Sequence, residues 1–145
     1  MAILRSAVAM SLLAAIVAAA CQSQGQVFQA TLLTDPVKPL PVSLTDESKL
    51  VTGITEAAAD STTTGSDPAL RADQDDPNGL VLTWLGGACD QDAAVWFGPQ
   101  NGGYVLSLAI HVKVGLGCPA SGVPRAIRIA TSRPIAVGSV TVAGG

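Results

Sequence analysis

Tyr104-Val105-Leu106-Ser107-Leu108-Ala109-Ile110-His111-Val112-Lys113-Val114 is the stretch that decides the fold class. Its even positions are Tyr, Leu, Leu, Ile, Val and Val, whereas its odd positions are Val, Ser, Ala, His and Lys. Successive side chains of a strand point to opposite faces, so this period of two predicts a half-buried strand with an apolar inner face. Just upstream, the apolar run Ala94-Val95-Trp96-Phe97 stops at Gly98-Pro99, and Asn101-Gly102-Gly103 supplies turn chemistry. The two runs therefore predict a hairpin.

Further out, Leu80, Leu82 and Trp84 alternate with Val81, Thr83 and Leu85 between the turn signals Asn78-Gly79 and Gly86-Gly87, which places Trp84 in a core. Residues 125–130 and 135–142 predict two more strands, separated by Ser132-Arg133-Pro134. In the first half, residues 27–34 predict a strand ended by Asp35-Pro36. Pro36, Pro39 and Pro41 then predict an extended segment, with residues 42–44 along a sheet edge where a missing amide donor is tolerated. A further strand is expected over residues 49–55. Residues 56–79 read as one long, exposed, acidic loop, ending in Asp73-Gln74-Asp75-Asp76-Pro77-Asn78-Gly79. Short strands punctuated by Gly and Pro, with no amphipathic helix between them, predict an all-β domain. The expected architecture is a small antiparallel β-sandwich or open barrel, one domain spanning residues 27–145.

The amino-terminal stretch has a different character. Arg5 is followed by the fourteen-residue run 7–20, apolar except for Ser11, and then by Cys21. A membrane-spanning helix needs about 20 apolar residues, whereas a signal-peptide core is of this shorter length. Residues 1–20 therefore read as a helical export signal and the polar, glutamine-rich residues 21–26 as a flexible tether. Val17-Ala18-Ala19-Ala20-Cys21 resembles the lipobox of bacterial lipoproteins. That resemblance implies acylation of Cys21, a lipid anchor in a membrane, and residence in the cell envelope. Ala18-x-Ala20 also satisfies the small-residue rule of ordinary signal peptidase, which would release a periplasmic or secreted protein starting at Cys21. The chain has three cysteines. If Cys21 carries lipid, Cys89 and Cys118 remain as a pair that can oxidise outside the cytoplasm, and neither belongs to a Cys-x-x-Cys metal spacing.

Without Arg5 the chain carries seven basic and eleven acidic side chains, a balance that argues against nucleic acid as a partner. Catalytic motifs are absent. There is no Gly-x-Ser-x-Gly, no His-Glu-x-x-His, no P-loop and no Gly-x-Gly-x-x-Gly opening a helix. The single histidine, His111, shares the polar strand face with Ser107, and a solvent-facing position is expected for it. Asp73, Asp75 and Asp76 are calcium candidates because hard cations need clustered oxygens. Their spacing departs from the EF-hand pattern, and a solvated loop is the plainer reading. Asp90 and Asp92 add two nearby carboxylates, and no cofactor is expected.

Binding candidates are Trp96, which could stack on a sugar or a peptide, and the arginines Arg125, Arg128 and Arg133, which could recognise a carboxylate or phosphate. Three functional classes follow. The first is an exported, lipid-anchored envelope protein acting as a non-catalytic binding or structural module, with a protein or carbohydrate ligand. The second is a small secreted hydrolase in which Asp90, Asp92 or His111 converge in a cleft. The third is a protease-inhibitor-like module presenting the loop 115–124, pinned by Cys118.

Overall fold

A computed structural model describes residues 25–33, 38–59, 67–115, 117–118 and 122–144. Nine strands run in chain order: β1 (Gln26–Leu32), β2 (Leu40–Asp46), β3 (Val51–Glu56), β4 (Ala69–Ala72), β5 (Gly79–Gly86), β6 (Asp90–Gln100), β7 (Gly103–Val112), β8 (Val123–Thr131) and β9 (Val140–Gly144). They form a five-stranded sheet ordered β1-β2-β6-β7-β9 and a four-stranded sheet ordered β3-β8-β5-β4. The domain is all-β, and its two sheets remain separate layers, as a small sandwich requires. Residues 1–20, read above as an export signal, Cys21 and most of the expected tether fall outside the described residues, as do residues 34–37 with the expected Asp35-Pro36 break, residues 60–66 and parts of the loop 115–124.

The predicted hairpin is present. β6 and β7 pair antiparallel from Asp90↔Val112 to Gln100↔Gly103. Their two-residue connection, Asn101-Gly102, has φ of 47° and 80°. Two successive positive φ values make a type I′ turn, whose twist matches that of the strands it joins, and Asn-Gly is the pair that tolerates it best. Of the even positions of the expected strand, Leu106 and Leu108 are buried and Tyr104 and Ile110 pack against the core, whereas Val112 and Val114 at its end run past the core and are exposed. Leu106 and Leu108 meet Val95 and Phe97 of β6, Val42 and Leu44 of β2, and the opposing Leu80, Leu82, Trp84, Ile127 and Ile129 in one core. Phe97 stacks on Tyr104 with ring centroids 5.3 Å apart. Trp84 is 1% exposed, and its indole Nε1 has no hydrogen-bond partner among the described residues.

Several details differ from the expectation. β2 lies inside its sheet, between β1 and β6, instead of along an edge. Pro41 is accommodated there because the parallel ladder to β6 begins at Val42↔Ala93, one residue beyond the nitrogen that has no hydrogen to donate. A second parallel pairing joins β7 to β9, so the larger sheet is mixed, whereas the smaller one is wholly antiparallel. The stretch expected as a loop over residues 56–79 contains β4, which pairs with β5 from Ala69↔Thr83 to Ala72↔Leu80. The strand expected over residues 135–142 begins only at Val140, after one 3-10 turn at Val137–Ser139.

The crossing from one sheet to the other after β2 is organised by Asp46, a buried carboxylate. Its Oδ1 accepts hydrogen bonds from the Ser48 N–H (2.8 Å) and hydroxyl (2.6 Å), and its Oδ2 accepts one from the Val51 N–H (3.0 Å). Three donors on one buried acid offset its desolvation and fix the turn that delivers the chain to β3.

Candidate functional site

The outer face of the five-stranded sheet is open among the described residues, and the pleat decides which side chains it presents. On β6, Ala93, Val95 and Phe97 point into the core, so Asp92, Ala94, Trp96 and Gly98 point outward. Trp96 is half-buried and stands in register with Thr45 of β2 and Ser107 of β7. A Cβ placed on Gly98 would lie 2.3 Å from the Trp96 Cη2 atom and 2.5 Å from Cζ2. The benzo ring therefore rests on the backbone of Gly98, a seat that only a residue without a side chain provides.

Four residues back along β6 from Trp96, at Asp92, a shallow groove of about 450 Å³ across β2 and β1 is lined by Gln29, Thr31, Pro41, Ser43 and Asp92. At the far side of the same sheet a second groove of about 430 Å³ runs along the β6–β7 turn, lined by Gln100, Asn101, Tyr104, Ser139 and Thr141. Thr141 is in register with Val105, which pairs with Gly98, so the ring of Trp96 leans toward this second groove. None of the five strands contains a lysine or arginine. The surface is thus flat and rich in hydroxyls and amides, with one aromatic platform between two depressions.

Asp92 also holds His111, its cross-strand partner, through Oδ1···Nδ1 at 2.5 Å. The pair is exposed, with side chains 47% and 63% accessible. An Asp-oriented imidazole can serve as a general base, yet among the described residues no hydroxyl is hydrogen-bonded to the ring, and Ser107 lies opposite Trp96 instead. The convergence required of the hydrolase class thus extends to Asp92 with His111. Asp90 is buried elsewhere, with its Oδ2 accepting the Gly87 N–H at 2.8 Å.

No family model, curated protein or solved structure matches the chain. Its candidate sites rest on geometry alone.

The structure does not bring the three arginines together. Arg125 points inward and is 2% exposed. Arg128, three residues on, points outward from the smaller sheet and is gripped by acids. Its Nε contacts Asp73 Oδ2, its Nη2 donates to Asp73 Oδ1 at 3.4 Å, and the same nitrogen lies 3.5 Å from Asp75 Oδ2. Arg133 donates from Nη2 to the Tyr104 hydroxyl at 2.8 Å. Trp96 is near none of these three in register.

The calcium candidates are engaged within their own loop. Asp73 Oδ1 accepts the Asp75 N–H at 3.1 Å, and Asp76 Oδ1 accepts the Asn78 N–H at 2.9 Å. Among the described residues no cluster of acids, histidines or cysteines is arranged to hold a metal ion. The Asp75 N–H and then the Arg128 guanidinium hold the Asp73 carboxyl below its ordinary value of 3.8, against an opposing push from burial. A depressed folded-state pKa stabilises the fold above the unfolded value, and that contribution is lost as pH falls through the folded one. Asp73→Asn is therefore expected to lower the melting temperature at neutral pH. The gap from the parent should narrow progressively as thermal melts are repeated below pH 3.8, and a constant gap would contradict the assignment.

Cys89 and Cys118 form a disulfide with Cα atoms 5.7 Å apart, as expected from the cysteine arithmetic. The bridge ties the β5–β6 turn to the β7–β8 connection, where the Lys113 N–H also donates to the Cys89 carbonyl at 3.0 Å. In that connection Gly115, Gly117 and Cys118 are exposed.

Sequence reasoning singled out Trp96 but missed Gln29, Thr31, Ser43 and Thr45. They lie roughly fifty to seventy residues before it and reach its neighbourhood only through the β1–β2 pairing and the parallel β2–β6 pairing. Their one signal was the alternation of Ser43 and Thr45 with Val42 and Leu44.

Proposed function

We propose that this chain is an exported, lipid-anchored protein of the cell envelope whose sandwich is a non-catalytic binding module. The observation that carries the binding role is Trp96, seated on Gly98 in the middle of an open sheet face. A tryptophan that merely filled the core would face inward like Trp84, because burial of its large apolar surface is favourable. The Cys89–Cys118 bridge supports export, since disulfides persist in oxidising compartments, and it leaves Cys21 as the remaining cysteine for a lipid.

Two measurements test the proposal. Intact mass of protein recovered from the membrane fraction should exceed that of the bare chain from Cys21 by its acyl groups, and a bare mass would remove the anchor. Sedimentation with isolated cell-wall fragments of the producing cells should retain the protein, with Trp96→Ala weakening retention about tenfold, equivalent to about 1.4 kcal/mol. Equal retention of both proteins would remove the binding role from this face.

A further inference from the structure

We infer that the ligand of this face is a neutral polysaccharide, laid diagonally across the five-stranded sheet from the Gln29–Ser43 groove, over Trp96, to the groove at Gln100 and Thr141. The inference rests on the binding-module reading and gives it a chemical class.

Charge comes first. With no lysine or arginine on any of the five strands, the face carries no cluster of cations for a polyanionic chain; Arg133 reaches its edge and donates there to the Tyr104 hydroxyl, and its one acid, Asp92, is already paired with His111. Shape and chemistry come next. Protein interfaces centre on fully desolvated apolar anchors in pockets, whereas this face offers Thr31, Ser43, Thr45, Ser107 and Thr141, short hydroxyls set among alanines. A pyranose ring has the complementary pattern: an apolar C–H face suited to stacking on an indole, and a rim of hydroxyls that exchange donors and acceptors with Ser, Thr and Gln.

Length supports a polymer over a single sugar. The path crosses from β2 to β9, three strand spacings of about 4.8 Å, while advancing about four residues of about 3.3 Å along β6, giving roughly 20 Å in all. That length holds several sugar rings, and each of the two grooves takes an end. Gly98 is then a specificity device as well as a seat, because laying the indole flat on the sheet is what turns a bulky side chain into a platform.

The test titrates the full chain, purified from membranes in detergent, with soluble hexasaccharides and disaccharides of β-linked glucose and of N-acetylglucosamine. Readouts are calorimetry and tryptophan emission. Trp84 is sealed in the core, so an emission change reports Trp96.

At least one hexasaccharide is expected to bind, tighter than its disaccharide by tenfold or more, with an affinity indifferent to added salt. Trp96→Ala should lose at least tenfold. Gly98→Ala should lose several-fold with an unchanged circular dichroism spectrum, since its new methyl lifts the ring without emptying the core. Asp75→Asn, in the β4–β5 connection of the opposite layer, should bind like the parent.

Failure of every hexasaccharide to bind, or binding unchanged in Trp96→Ala, overturns the inference. If cell-wall retention still depends on Trp96 while no hexasaccharide binds or competes, the binding-module reading stands and the ligand is of another class. Loss of that dependence removes both.

Discussion

Replacing Cys89 and Cys118 together by serine is expected to lower the unfolding free energy by about 3–4 kcal/mol, and the melting temperature by roughly 10–20 °C. The bridge joins positions 29 residues apart, and closing a loop of that length removes conformational freedom chiefly from the unfolded chain. The magnitude matters more here than in an aromatic-rich domain, because only Trp84, Phe97, Phe28 and Tyr104 supply aromatic surface to the core and the rest is Leu, Ile and Val. Denaturant titration of the oxidised parent, the reduced parent and the double variant checks it. The last two should coincide, and a loss below about 1 kcal/mol would show that the unfolded chain gains little freedom on opening. Thiol titration of the unfolded, unreduced protein provides an independent reading. Reactive thiols at Cys89 and Cys118 would contradict the bridge.

A loss of similar size is expected at Arg125. Arg125→Ala should cost about 3–5 kcal/mol, the range for cutting a large buried side chain back to its Cβ. The location explains why. A Cβ on Gly86 would lie 2.6 Å from Asp90 Oδ2 and 3.3 Å from Arg125 Nε, so the two side chains flank the backbone at the end of β5, 5% and 2% exposed respectively. Without the long side chain a void opens beside Trp84, the cross-strand neighbour of Arg125. Denaturant titration checks the size, and a loss below about 1 kcal/mol would show that the surrounding side chains close over the missing one.

The contrast between Arg125 and Arg128 shows how far the sequence could be read. Alternation along residues 125–130 puts Arg125 on the side of Ile127 and Ile129 and Arg128 on the other, and the structure has Arg125 buried with the two isoleucines and Arg128 facing out. What alternation could not supply is depth: an arginine is expected at the surface, and this one is buried because it stands opposite Trp84 on β8, a strand with neighbours on both sides. The same limit applies to β5. Leu80, Leu82 and Trp84 were legible as core, but Val81 and Thr83 are buried too, because β5 is an inner strand. Val81 is flanked in register by Arg71 and Arg128, whose stems suit them to cover an apolar neighbour.

β4, with the sequence Ala-Leu-Arg-Ala, has no β-branched residue to announce it and forms by pairing with β5. The candidate face was half legible. Trp96 is legible as a stacking candidate, whereas its outward direction within an apolar run and its companions on β1 and β2 depend on pairings that no local pattern encodes.

The order β1-β2-β6-β7-β9 also sets a timetable. The larger sheet draws on the first two strands, two from the middle of the chain and the last, while β3, β4, β5 and β8 are assigned to the other layer. The β2–β6 contact must wait for nearly fifty intervening residues, and β7 acquires its outer neighbour only after β8 has been placed across the sandwich. Such non-local pairing must meet loop-closure entropy before it is rewarded, and all-β domains of this kind fold on the order of milliseconds to seconds. A chain emerging vectorially would therefore expose the unfinished edges of β2 and β7 throughout its passage. Until β9 docks, the protein depends on whatever shields those edges from pairing with another copy.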